Sequence, residues 1–249
     1  MSEQTVWIWG RHSVLEALRA GTAREVLVAG GRKPAAILAL IRGEAVARDI
    51  PLREVAPGEL ERIAPDQNTQ GVAARVSQPV VESLSDLAEA AERKGDRAFL
   101  LALDQVQDPQ NLGALLRTAD AAGVHGVVVP ERRSAGVSGT VVKVSSGAAS
   151  HVPVLQVTNF SRALNDLQAS GIWVVGLDGA SRQSLFSVDL SEPVAIVVGS
   201  EDTGLRRLTK QHCDFIVKLP MFGAIGSLNA AVAGSIAMYE VVRQRLHHR

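Results

Sequence analysis

Groups capable of chemistry gather in three short stretches of this chain. The first runs Asp104-Gln-Val-Gln-Asp108-Pro109-Gln-Asn111-Leu-Gly113-Ala-Leu-Leu-Arg117. Asp108 followed by Pro109 predicts a helix start. Arg117 comes four residues after Gly113 and shares its helical face. Helix side chains lean toward the amino end, and the bare position at 113 clears a path for the guanidinium. A helix start with an arginine aimed at it makes an anion or phosphate site. An ordinary amphipathic helix with a surface arginine would be written with the same letters. The second stretch, Gly199-Ser-Glu201-Asp-Thr-Gly204-Leu205, is spaced like a nucleoside-triphosphate loop, but Leu205 stands where that loop needs lysine, which excludes the motif. Glu201 is open to three roles: base, acceptor for a substrate hydrogen bond, or helix-entry carboxylate. The third stretch is Leu219-Pro220-Met221-Phe-Gly223-Ala-Ile-Gly226-Ser227-Leu228-Asn229, running into Ala230, Ala231, Ala233 and Gly234. Ser227 is placed to cap the last helix, which leaves Asn229 two positions inside it, where asparagine gives a helix nothing. Gly223 and Gly226 let backbone amides approach a ligand. The small residues that follow form a surface suited to close packing, a second subunit among the candidates.

Elements that would position these stretches are legible on either side. AFLLALD, HGVVVP, VPVLQV, IWVVGLD, VAIVVG and DFIVKLP are short, nearly continuous apolar runs, the pattern of strands buried on both faces of a parallel sheet. Helical segments separate most of them. TNFSRALNDLQASG is the plainest, with Thr158 as its expected cap, a Phe160, Ala163, Leu164, Leu167 stripe, and Gly171 as its stop. Strand and helix alternation predicts an open α/β sheet, whose ligands sit at the carboxyl ends of the strands. All three chemical stretches follow such ends. Residues 1–76 form a smaller α/β unit of their own: strand TVWIW, helix HSVLEALRAG, strand EVLVAG, a helix with Pro34 in its first turn, IPLREVA, a short helix from Pro57, and strand GVAARV. Residues 77–97 read as linker and connecting helix, and 98–249 as the larger domain.

Composition narrows the classes further. The chain has 249 residues, 46% hydrophobic and 21% charged, enough apolar material for a packed core and too much for disorder. No apolar stretch approaches the roughly 20 residues a bilayer requires, and the start shows no secretory signal pattern. Its single cysteine, Cys213, cannot form an internal disulfide, fits a reducing cytosol, and reads as a core thiol rather than a nucleophile. The six histidines have no metal-ligand spacing, so no metal is expected. With 26 basic and 26 acidic groups the net charge is zero, low for a nucleic-acid binder. Local cationic clusters (Arg32-Lys33, Arg132-Arg133, Arg206-Arg207 with Lys210, and Arg243, Arg245, Arg249) read as solvated surface. Dinucleotide loops and serine-hydrolase elbows are absent from the sequence.

Taken in order and spacing, the three stretches resemble the signature motifs of the SpoU/TrmH family of RNA ribose 2′-O-methyltransferases, part of the SPOUT class, over about residues 98–246. Residues 1–76 resemble the small RNA-binding domain of members that act on 23S rRNA. The resemblance implies a SPOUT-type parallel sheet with a carboxyl-terminal trefoil knot through about residues 195–235, preceded by a small α/β RNA-binding domain. It implies S-adenosylmethionine as cofactor, contacted by Leu177, Gly199, Leu219, Met221 and Leu228. Asn111, Arg117, Glu201, Ser227 and Asn229 fall at the family's functional positions. It also implies a cytoplasmic homodimer joined through the knotted region, methylating a guanosine ribose in 23S rRNA, either naked or within a large-subunit assembly intermediate. Two other readings remain: a tRNA ribose methyltransferase, and a catalytically silent RNA-binding or assembly factor on the same scaffold.

Overall fold

The computed structural model describes residues 5–31, 35–132, 134–135, 138–145, 147–201 and 203–247. Arg32, Lys33, Pro34, Arg133 and Arg249, named above, lie outside the described residues. The chain divides into two compact bodies, residues 5–80 with 138–151, and residues 81–135 with 152–247.

In the first body, β1 (Thr5–Trp9), β2 (Ala23–Ala29), β3 (Leu52–Val55) and β4 (Val72–Ser77) form a sheet of order β1-β4-β2-β3. Only β2 and β3 run parallel. Helix α1 (Arg11–Arg19) buries Val14, Leu15, Ala17 and Leu18, and α2 (Ala36–Ala47) buries Leu38, Ile41 and Ala45, both at helical spacing. Under α3 (Pro57–Ile63), Leu60 joins Trp9, Leu27, Val55 and Ala73 in one apolar cluster. The later segment 138–150 packs with this body. Its helix α6 (Gly139–Val144) starts at a glycine where a Cβ would lie 2.2 Å from the Trp7 carbonyl oxygen and 2.3 Å from the Trp9 ring.

In the second body, β5 (Phe99–Asp104), β6 (Gly126–Pro130), β7 (Val154–Val157), β8 (Trp173–Leu177), β9 (Val194–Gly199) and β10 (Phe215–Val217) form an all-parallel sheet of order β10-β8-β9-β5-β6-β7. Every residue of β5, β6 and β9 is buried, as continuous apolar runs require. Alternate side chains face opposite layers. Ala102, Val128 and Val197 meet Leu164 and Leu167 of α7 (Phe160–Ala169) and Leu87 of α4 (Leu84–Glu92) in one cluster. On the other face, Val198 meets α9 (Ala230–His247) at Gly234, where a Cβ would also stand 2.5 Å from Leu115 of α5 (Pro109–Ala121). The small residues at 230–234 thus pack inside the chain: Ala230, Ala231 and Gly234 are buried. Helix α4, expected as a connector, is part of this body through buried Leu87 and Ala91. No helix among the described residues is long and apolar enough to cross a membrane.

Two caps differ from expectation. Helix α7 is capped by Asn159, whose Oδ1 accepts from the Arg162 N–H at 3.0 Å, not by Thr158. Helix α9 begins at Ala230, so its cap is Asn229 and not Ser227. The cationic clusters are also more engaged than solvated surface would be. Lys210 of α8 (Arg207–Gln211) pairs with Asp178, and Arg243 forms a two-pronged bridge to Glu240 at 2.7 and 2.8 Å. Arg245 donates to the carbonyls of Arg97, Ala98 and Glu192, each at 2.9 Å, over the Phe99 ring. Cys213 donates to the Thr209 carbonyl, and burial pushes its pKa up to about 12, so at neutral pH it is a protonated core thiol.

At the amino-terminal edge of this sheet His125 is 5% exposed, its Nδ1 accepting from the Phe99 N–H at 3.2 Å. Burial lowers its pKa below the usual 6.5; the Lys94 and Arg245 charges add to this, and Asp96 opposes it. A histidine kept neutral in the fold takes up its proton more readily when unfolded. Its contribution to stability is therefore full above about pH 6.5 and is lost as the pH falls toward the depressed folded value. The melting temperature of the wild type should decline below about pH 6.5 more steeply than that of His125→Asn. Parallel curves would remove His125 as the cause.

Candidate active site

The loops leaving β8, β9 and β10 close around a cavity of about 430 Å³ at the carboxyl edge of the parallel sheet. All five residues expected to hold a cofactor line it: Leu177, Gly199, Leu219, Met221 and Leu228. Glu201 and Ser227 line it too, as do Asp178, Lys218 and Gly226. They come from three strand ends, those of β8, β9 and β10, so the parallel sheet itself brings residues 177 to 228 to one place. Leu177, Val217, Leu219, Met221 and Leu228 make part of its lining apolar, and Glu201 and Asp178 add carboxylates to it. That mixture suits an aromatic, polar small molecule, and the volume falls in the range of about 300–1,000 Å³ usual for such sites.

Behind Glu201 lies a chain of amides. Asn111, 7% exposed on the first turn of α5, donates its Nδ2–H to Glu201 Oε1. Asn111 Oδ1 accepts from Asn229 Nδ2–H at 2.9 Å. Asn229 Oδ1 accepts from the backbone N–H groups of Ala231 (2.8 Å) and Val232 (3.2 Å). The amino end of α9 is thus linked through two side-chain amides to one carboxylate, with every donor oriented toward Glu201. Asn229 therefore does serve its helix, contrary to the sequence expectation, because the helix starts two residues later than Ser227 capping would put it. The start of α5 is as the sequence indicates, with Asp108 Oδ1 accepting from the Gln110 N–H at 2.9 Å.

Replacing Asn229 by alanine removes a cap, worth about 1 kcal/mol, as well as the amide link. Asn229→Ser keeps a capping oxygen and loses only the donor to Asn111. We expect Asn229→Ser to melt close to the wild type while turnover falls roughly tenfold, one lost hydrogen bond to a charged network. Activity falling only in step with melting temperature would leave the cap as the residue's whole role.

Arg117 stands apart. It is exposed on α5, is not among the residues lining the cavity, and makes no hydrogen bond or ion pair among the described residues. The structure does not bring it to Glu201 within one chain. Asp178 is a pocket residue that the sequence did not single out. Burial alone would raise its pKa, but Lys210 and the Ala180 N–H outweigh that and hold the carboxylate below its ordinary value. A lone aspartate closing the apolar run IWVVGLD was the available signal. A second cavity, about 420 Å³, opens at the amino-terminal edge beside His125 and Arg245. His125 Nδ1 and the two terminal nitrogens of Arg245 serve the backbone there, while Arg245 Nε has no hydrogen-bond partner among the described residues.

An all-parallel sheet, a cavity built from the loops after three of its strands, and a carboxylate held there by helix-anchored amides fit the α/β methyltransferases of the SPOUT class that the sequence motifs resemble. Residues 98–239 match the family model described as SpoU rRNA Methylase family, and residues 7–80 match the one described as RNA 2′-O ribose methyltransferase substrate binding. The chain belongs to the SpoU rRNA methylase family. It is 46% identical over 249 residues to the 23S rRNA (guanosine-2′-O-)-methyltransferase RlmB of Xanthomonas axonopodis, covering 99% of both chains. It is similar in structure to the SpoU methyltransferase AviRb of Streptomyces viridochromogenes in complex with AdoMet (TM-score 0.80, 26% identity, 98% of this chain and 92% of that one). A TrmH/SpoU tRNA modifying enzyme of A. aeolicus matches 66% of this chain and 83% of its own at a TM-score of 0.57 and 27% identity.

Proposed function

We propose that this protein transfers a methyl group from S-adenosylmethionine to the ribose 2′-oxygen of a guanosine in 23S rRNA. The cavity supports this reading: the five residues expected for the cofactor line it together with Glu201 and Ser227, although they are up to 51 positions apart in sequence, from Leu177 to Leu228, and Asn111 and Asn229 stand behind Glu201. Near full-length similarity to a 23S rRNA guanosine methyltransferase supports the rRNA target over tRNA, since the tRNA-modifying relative accounts for only 66% of the chain.

S-adenosylmethionine would supply an electrophilic methyl group on a sulfonium centre. Leu177, Leu219, Met221 and Leu228 would hold its apolar parts, and the backbone around Gly199 and Gly226 its polar ones. A ribose 2′-hydroxyl is a very weak acid, so its proton must be shared as the oxygen attacks. Asn111 fixes Glu201 through Oε1, and no hydrogen bond among the described residues falls on Oε2. Oε2 is therefore available to orient the hydroxyl and take its proton; a substrate phosphate is the other acceptor. Arg117 offers a planar guanidinium fork, which suits it to hold phosphate and stabilise developing charge on the oxygen instead of acting as base. The methyl ends on the 2′-oxygen and the proton on the carboxylate or the phosphate. Ser227, at the cavity rim, is placed to hydrogen-bond the nucleoside.

The amino-terminal domain, residues 1–76, binds the RNA, and the cofactor loops at 195–235 follow the knotted course of the class. The active unit is a homodimer acting in the cytoplasm on 23S rRNA or on an assembly intermediate. One face of α9 supports the pairing: Val232, Ile236 and Tyr239, at helical spacing, are 48%, 38% and 51% exposed. Light scattering should give the mass of two chains, and Ile236→Glu should shift it toward one. A monomeric wild type would remove the dimer from this reading.

The reaction is tested by incubating the protein with labelled S-adenosylmethionine and unmodified large-subunit rRNA, then digesting to nucleosides. Labelled 2′-O-methylguanosine is the expected product. Transfer to tRNA alone would move the target to the tRNA alternative. Neither transfer nor cofactor binding would favour the silent RNA-binding factor.

A further inference from the structure

Asp104, the last residue of β5, is a fully buried carboxylate at 0% exposure, outside the groups assigned to catalysis or cofactor. Both its oxygens are taken by one residue: Oδ1 accepts from Arg206 Nε at 2.6 Å and Oδ2 from the Arg206 backbone N–H at 2.9 Å. The Arg206 guanidinium also lies over the Phe160 ring, 5.9 Å from its centroid. The sequence suggested solvated charge at Arg206; the structure gives it a buried partner.

The place of this pair matters more than its strength. Asp104 is the register partner of Gly199 across β5 and β9. From Gly199 the chain makes a turn closed by two hydrogen bonds, Ser200 N–H to the Gly204 carbonyl (3.2 Å) and Gly204 N–H to the Ser200 carbonyl (3.0 Å). Gly204 takes a left-handed φ of 63°, and the chain folds back so closely that a Cβ on Gly199 would lie 2.2 Å from the Gly204 carbonyl carbon. Two residues on, Arg206 is tied to Asp104, beside the point where the turn began. Asp104 therefore clamps the far end of a small closed loop whose near end is its own strand neighbour. That loop carries Glu201, and Gly199, Ser200, Thr203 and Gly204 form one wall of the cavity.

A buried ion pair is weak evidence for stability, since apolar residues of equal volume commonly do as well, whereas geometry is something only the pair supplies. We infer that Asp104 is a positioning residue for methyl transfer, acting through Arg206 to hold the Ser200–Gly204 turn in its cofactor-binding and Glu201-presenting form. This rests on the cofactor reading above.

The test uses the full-length protein with Arg206→Ala, Arg206→Lys and Asp104→Asn. Arg206→Ala leaves the buried Asp104 carboxylate without its cation, so Asp104→Asn, which removes that charge and keeps an oxygen acceptor, is read in the same way should Arg206→Ala fail to fold. Three readouts are taken at 25 °C: amide hydrogen exchange, calorimetric affinity for S-adenosylhomocysteine, and separately the melting temperature. In Arg206→Ala the amides of Ser200 and Gly204 should exchange at least tenfold faster while those of β5 and β6 hold their rates, and S-adenosylhomocysteine should bind at least tenfold more weakly. Arg206→Lys should recover part of both. Unchanged exchange at the turn, or faster exchange spread evenly over the sheet in step with melting temperature, overturns the inference. So does a loosened turn with undiminished affinity. A wild-type protein that fails to bind S-adenosylhomocysteine overturns the cofactor reading itself, which the variants alone cannot do.

Discussion

Arg117→Ala should lower methyl transfer by about 10²- to 10³-fold, the loss typical of removing one group that stabilises developing charge. Binding of S-adenosylhomocysteine should stay within about twofold of the wild type, because Arg117 is not among the cavity-lining residues. The fold should be indifferent as well: the side chain is exposed and makes no hydrogen bond or ion pair among the described residues, and exposed substitutions of this kind cost about 0.5 kcal/mol or less. Arg117→Lys keeps the charge but loses the planar fork that grips a phosphate, so it should recover only part of the rate. The separation of Arg117 from Glu201 within one chain gives the prediction a second edge. In the proposed homodimer an arginine with no work in its own subunit is free to serve the cavity of the other. Full activity in Arg117→Ala would leave it an ordinary surface residue.

Much of this molecule could be read from the sequence because its strands are buried on both faces. Continuous apolar runs such as VAIVVG admit few other environments, and the loops dense in Gly, Asn and acid at their carboxyl ends pointed to one edge of the sheet. Helix boundaries were less legible. Ser227 and Asn229 are both good caps, and only the folded backbone decides that the helix begins at Ala230. That single choice changes Asn229 from an unexplained polar residue to the cap and the amide donor together. Long-range pairings were not legible at all. Asp104 and Arg206 are separated by 102 positions, and neither the apolar run before Asp104 nor the basic run after Leu205 names the other. The small-residue segment of α9 had two possible partners, and Leu115 and Val198 of the same chain take it, leaving the opposite face with Val232, Ile236 and Tyr239 exposed. Sequence spacing reports which side of an element is special. It does not report what covers that side.

Gly199→Ala should abolish cofactor binding, weakening S-adenosylhomocysteine by 100-fold or more. The added Cβ would stand 2.2 Å from the Gly204 carbonyl carbon, 2.4 Å from the Leu205 nitrogen and 2.5 Å from the Gly204 oxygen. All three are backbone atoms, so no rotamer change relieves the contact. β9 is held by β8 on one side and β5 on the other, so the strand is the less yielding partner and the Ser200–Gly204 turn must move. Overpacking of this kind costs about 1–3 kcal/mol, small enough for the domain to remain folded at 25 °C, while the displaced turn takes one wall of the cavity with it. Gly179 gives the matched control: it lines the same cavity, yet a Cβ there meets nothing nearer than the Gly226 oxygen at 3.9 Å, so Gly179→Ala should bind normally. The two inactive variants, Arg117→Ala and Gly199→Ala, also test one another. If each active site takes its cavity from one subunit and its arginine from the other, mixing them should rebuild a site with intact Gly199 and intact Arg117, and activity should return to a fraction of the wild-type rate. Should the mixture stay as inactive as its components after subunit exchange, the cavity and Arg117 act within a single chain, and α5 must then reorient when RNA binds.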